Sequence, residues 1–73
     1  MFAWRRTALR KRVLVNLMSD KAFRGVLWAK RGSLLVLKNA ELIEPGAQGY
    51  TRVDGEVVLE RSKVEFIQVI GEA

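Results

Sequence analysis

The sequence predicts a mainly β domain: an N-terminal helix followed by a five-stranded, strongly bent antiparallel barrel. Three observations lead there. Short apolar runs recur between residues 13 and 70, separated by tight-turn signals. Gly25 interrupts the second run, and a strand glycine lets a neighbouring backbone approach and the sheet bend. Residues 1–12 contain neither Pro nor Gly and can form a helix. Left open, such a sheet would expose two hydrophobic edges, so closure into a small barrel or pairing with another copy is expected.

Size sharpens the second option. With 73 residues the chain forms one small domain with a marginal core. Domains of this size gain stability from disulfides, metals or association. Cysteine and histidine are both absent, which excludes disulfides and leaves zinc only carboxylates. No metal or other cofactor is expected. A homo-oligomer, or docking into a larger protein assembly, remains.

The net charge of +5 is concentrated at one end. Arg5, Arg6, Arg10, Lys11 and Arg12 lie in residues 1–12 without an acid, whereas the remainder is formally neutral. The division is therefore a basic helical arm, 1–12, and a barrel domain, 13–73. Such an arm either lies across one barrel mouth with its arginines solvated or contacts a polyanion. Phe2 and Trp4 raise membrane contact as a third and weaker reading. No apolar run approaches the roughly 18 residues of a spanning helix. The apolar stretch after Arg12 is short and broken by Asn16, so it does not read as a secretory signal. An intracellular place or one within a virus particle is expected, with no compartment assigned.

Residues 13–18 alternate Val13, Val15 and Leu17 onto one face and read as the first strand, ending at Ser19-Asp20-Lys21. Residues 22–30 follow, with Phe23, Gly25, Leu27 and Ala29 on one face and Arg24, Val26, Trp28 and Lys30 on the other. Arg31-Gly32 supplies a reversal into residues 34–37, whose four consecutive apolar side chains imply cover on both faces. Residues 38–43 continue that strand more weakly and curve. Pro45-Gly46 and Gly49 mark the main loop. Asp54-Gly55 reads as a hairpin between residues 50–53 and 56–60. Arg61-Ser62-Lys63 turns into the last strand, 64–70, which Gly71 ends.

Together these residues resemble the Sm-like family. Val13, Val15 and Leu17, the turn at Ser19-Asp20, then Phe23, Gly25 and Leu27 match its first motif, with Leu35, Leu37, Asn39 and Ala40 closing it. Asp54-Gly55-Glu56-Val57-Val58-Leu59 and Arg61-Ser62 stand more loosely for the second. Phe23, Gly25, Gly32 and Gly55 are the positions that define the fold. The resemblance implies a ring of bent barrels behind a basic helix. RNA-binding members of the family hold a base between two turns, one with Asp and Asn, the other with Arg-Gly. Here the first turn is Lys30-Arg31-Gly32-Ser33, one residue shorter, and the second keeps only Arg61. Lys30, Arg31 and Arg61 are thus carried over as phosphate or stacking contacts. The R-G-x-L-L-V-L-K and D-G-E-V-V-L-E-R patterns are also similar to short proteins of tailed phages.

Catalysis is not expected. The usual general bases and soft nucleophiles are missing, and Ser19, Ser33 and Ser62 have no activating base nearby in sequence. No glycine-rich phosphate loop precedes a helix, and no small-molecule substrate is implied. Two functions compete. The first is a structural or interaction module, a component of a phage particle or its assembly, docking through the outward apolar residues Val26, Trp28, Val36 and Val58. The alternative is a ring-forming RNA-binding protein, whose affinity falls steeply with salt.

Overall fold

The computed structural model describes residues 8–73. Its strands are β1 (Lys11–Leu17), β2 (Ala22–Arg31), β3 (Leu34–Ile43), β4 (Thr51–Arg52), β5 (Val57–Glu60) and β6 (Val64–Glu72), with a 3-10 turn at Arg61–Lys63. All form one antiparallel sheet in the order β4-β3-β2-β1-β6, and β5 also pairs with β3.

Two expectations change here. The sheet has six strands and is not closed, because β5 and β6 each pair with one inner strand and not with one another. Most of the expected helix, including Arg5 and Arg6, falls outside the described residues. Among the described residues Ala8 alone has helical backbone ahead of β1, and Lys11 and Arg12 already belong to that strand.

The core explains why the sheet curls without closing. Val13 and Val15 of β1, Leu27 of β2, Leu35, Leu37 and Ala40 of β3 and Leu59 of β5 form one buried cluster. Val57 of β5 and Val64 and Ile67 of β6 pack against it from the two unpaired edges. Ala8 and Leu9 join the same cluster. Curvature therefore buries apolar side chains from every long strand, the main favourable term in a domain this small.

Gly25 makes that curvature possible. A Cβ there would stand 2.9 Å from the Lys38 carbonyl oxygen and 3.1 Å from the Ala40 Cα. Opposite it, β3 carries an extra residue at the register shift between Arg24 and Val26 of β2. Asn39 takes a φ of 54° there, a left-handed conformation that asparagine tolerates better than most side chains. The bend is thus a glycine in one strand facing a bulge in the next.

A second register shift, between Leu27 and Ala29, corrects the expected strand faces. After it Ala29 pairs with Val36 and Arg31 with Leu34, so Ala29 joins Trp28 on the outer face and the alternation does not run unbroken to Lys30. The reversal at Gly32-Ser33 is a two-residue loop with Gly32 at φ 59°, consistent with glycine leading a tight hairpin.

Asp54-Gly55 is not a hairpin. β4 pairs with Glu41 and Leu42, and β5 pairs with Leu34 to Leu37, so both lie end to end along one edge of β3. Val53 N–H donates to the Ala40 carbonyl at 2.9 Å between them. Gly55, at φ 76°, serves a kink in one interrupted strand. Ten residues of β3 offered a longer ladder than two short strands could offer each other. The last strand also runs past the expected stop, since Gly71 pairs with Arg12 and β6 ends at Glu72.

One ion pair pins the bend from outside. Arg24 Nε donates to Glu41 Oε1 at 2.8 Å and a second guanidinium nitrogen approaches the same oxygen at 2.7 Å. Glu41 is the more buried partner, with 17% side-chain exposure. A Glu41→Gln chain keeps the shape and loses the charge assistance. It is expected to lose about 1 kcal/mol in urea unfolding, with an unchanged m-value.

Candidate nucleic-acid interface

The fold brings together the two turns that the sequence holds 28 residues apart. The Arg61 backbone N–H donates to the Ser33 carbonyl at 2.7 Å, and Leu34 faces Glu60 at the start of the β3–β5 ladder. Lys30 and Arg31 end β2, Gly32 and Ser33 form the loop, and Arg61, Ser62 and Lys63 form the 3-10 turn beside it. Met18 N–H donates to the Lys63 carbonyl at 2.8 Å, which ties the β1–β2 turn to the same tip.

The chemistry of this tip is cationic and amide-poor. Lys30, Arg31, Arg61 and Lys63 meet one acid, Glu60, and the only polar neutral side chains in the two turns are the hydroxyls of Ser33 and Ser62. Leu34, 37% exposed, offers an apolar surface next to them. Such a tip can hold phosphates by charge and lay a base on an aliphatic or guanidinium surface. It has little with which to read one base edge against another.

The basic residues at the start of the described chain divide into two groups. Lys11 pairs with Glu72 at 3.4 Å near the end of β6. Arg10 and Arg12 sit on the outer wall of the sheet. Arg10 adopts φ 63°, its backbone N–H donates to Leu27 O at 2.7 Å, and its Nε donates to Trp28 O at 3.0 Å. Its guanidinium carbon lies 4.0 Å from the Trp28 ring centroid. Lys38 Nζ lies 4.1 Å from the centroid of that same ring. Sequence reading missed Lys38. Its signal was available only through the register, which sets Lys38 opposite Val26 and Val26 opposite Arg12.

The four outward apolar residues are not equivalent. Val26 and Trp28 are half-buried, and Val58 is 55% exposed. Val36 is 6% exposed and forms the floor of a groove with Trp28, Ala29, Leu34 and Val58. Large exposed apolar side chains cluster elsewhere too: Phe66, Val69 and Ile70 all lie on β6. Four of the seven such residues are thus on β5 and β6, each of which pairs with one strand only.

A bent antiparallel sheet whose strands share one small core, with two of its turns joined at a basic tip, defines an Sm fold. Solved structures agree. An archaeal Sm protein described as heptameric is 28% identical with a TM-score of 0.78, over 94% of this chain and 98% of that one. The Pyrococcus abyssii Sm protein, solved in complex with a uridine heptamer, is 32% identical with a TM-score of 0.74, over 89% of this chain and 90% of that one. The P. aerophilum SmAP1 heptamer is 28% identical with a TM-score of 0.77, over 96% and 97%. The chain belongs to the Sm protein family. No family model and no curated protein matches it by sequence. The reading as a phage-particle component finds no support among these relatives.

Proposed function

We propose that the protein is a non-enzymatic, ring-forming Sm-type RNA-binding protein, with single-stranded RNA held at the joined turns 30–34 and 60–63. The observation that carries this reading is the Arg61–Ser33 hydrogen bond, which makes one cationic tip from two distant turns. Its likeness to a protein solved with a uridine heptamer supports RNA as the ligand.

Assembly follows from the edges. β5 and β6 leave their outer hydrogen-bonding groups unpaired, and edges of this kind recruit another strand. Pairing β5 of one copy with β6 of the next would satisfy both edges and bury Val58 against Phe66 and its neighbours. Because the two edges differ, the contact is head-to-tail and closes as a ring when its rotation permits. The heptameric relatives support that outcome.

The test is native mass spectrometry with RNA binding on the same sample. The protein is expected to run as one closed oligomer and to bind uridine- and adenine-rich strands, with affinity falling steeply as salt rises. A monomer that binds no single-stranded RNA at moderate salt overturns the reading. Val58→Asp places a charge at the centre of the edge contact. That variant is expected to shift the mass spectrum to monomers while its far-ultraviolet circular dichroism stays unchanged.

A further inference from the structure

We propose that the tip selects guanine bases in single-stranded RNA, read by Arg31 and Glu60 on either side of Leu34. The proposal rests on the RNA-binding reading above and adds a base preference to that same site.

The little that the tip has for reading a base edge lies in one row across three strands. Arg31 at the end of β2 faces Leu34 at the start of β3, and Leu34 faces Glu60 at the end of β5. Directly opposed residues project from the same face of a sheet, so a guanidinium and a carboxylate flank an aliphatic shelf. All three residues are exposed. Neighbouring strands lie about 4.8 Å apart, which sets the two charged residues about 10 Å from one another at the backbone. Among the described residues neither makes an ion pair or a side-chain hydrogen bond. Both therefore keep their donors and acceptors for a ligand.

Guanine suits this row because its edges differ. Its O6 and N7 are adjacent acceptors, which a guanidinium meets with two parallel N–H donors. Its N1–H and N2–H are adjacent donors on the next edge, and one carboxylate accepts both. The other bases lack this combination. Adenine sets a donor beside its N7, uracil places a donor between two acceptors, and cytosine has no adjacent pair of donors. A guanine laid on Leu34 thus gives both charged residues a two-bond partner. Any other base leaves at least one of them without.

The experiment measures fluorescence anisotropy on the intact protein with strands of about seven nucleotides. One is all uridine; the others alternate uridine with guanosine, adenosine or cytidine. Equal phosphate numbers cancel the salt-dependent part of binding. The guanosine strand is expected to bind about tenfold tighter than the other three, within the range of discrimination by a bidentate contact. Replacing guanosine by 7-deazaguanosine removes N7, and replacing it by inosine removes the N2 amino group; each should give back most of the gain. Arg31→Lys keeps the charge and loses the fork. Glu60→Gln loses one acceptor and raises the net charge by one. In both variants the ratio of guanosine-strand to uridine-strand affinity should fall to about one. Charge alone would move Glu60→Gln the other way, tightening every strand alike. Equal affinity for all four strands in the unmodified protein overturns the guanine preference and leaves the RNA reading standing. Failure of every strand to bind overturns both. Guanosine monophosphate that binds as tightly as the guanosine strand overturns the proposal too, assigning the row to a free nucleotide.

Discussion

Replacing Gly25 by valine is expected to destabilise the domain by about 3 kcal/mol, the upper end of what overpacking usually costs. The new Cβ would meet the Lys38 carbonyl and the Ala40 Cα, both backbone atoms that cannot rotate away. Relief requires β3 to lift from β2 where Asn39 already occupies a strained φ. For a domain of this length each kcal/mol lowers Tm by about 4–8 °C. Thermal unfolding followed by circular dichroism measures the loss, and a Tm within about 2 °C of the parent would sink the close-approach account. Gly25→Ala, with the same Cβ and no further methyls, should fall between the two. Its position separates backbone crowding from the extra bulk of valine.

The second large effect concerns binding. A Lys30→Glu, Arg31→Glu chain reverses two charges at the tip in every copy of the proposed ring. RNA affinity is expected to fall about 100-fold near 0.1 M salt, equivalent to about 2.8 kcal/mol. The slope of affinity against salt should also become shallower, by about 0.7 for each phosphate of a single strand that the tip no longer neutralises. Fluorescence anisotropy across a salt series provides both quantities. An affinity that drops equally for uridine and adenine strands fits a tip that grips backbone. A loss confined to uridine would instead require a base-reading group that Ser33, Leu34 and Ser62 do not supply. Neither residue is in the core, so folding should be unaffected.

Some of this was legible in the residues because the physics is local. Gly25 within an apolar run signalled a bend, and Gly32 after a polar pair signalled a reversal. Val13, Val15 and Leu27 announced themselves as core by alternation, and Leu35 and Leu37 by an unbroken apolar run that implied cover on both faces. What escaped depended on contacts between distant segments. Asp54-Gly55 has the composition of a hairpin turn, and only the length of β3 decides that the chain runs straight on instead. The bulge beyond Leu27 changes which face Ala29 occupies, and period-two reading has no means to anticipate an extra residue. Lys38 looked like an ordinary strand lysine. Its meaning comes from Trp28 and Arg10, ten and 28 residues away, meeting it across the sheet. The candidate tip was half legible for the same reason. Lys30, Arg31 and Arg61 stood out as turn cations, but their adjacency needed the β3–β5 ladder.

The kink at Gly55 bears on more than the edge of β3. β4 and β5 share one side of that strand, yet their registers differ by a residue, and the offset falls where β3 bends at Asn39. β5 therefore continues along the same edge of β3 beyond this joint, while β6 holds the opposite edge against β1. In a closed ring the angle between a subunit's two joining edges is the wedge each copy contributes, and a full circle divided by that wedge is the number of copies. In the proposed ring a two-residue joint would thus contribute to that wedge. In the proposed ring, the backbone conformations that let a short chain wrap its own core would also set how many chains complete the circle.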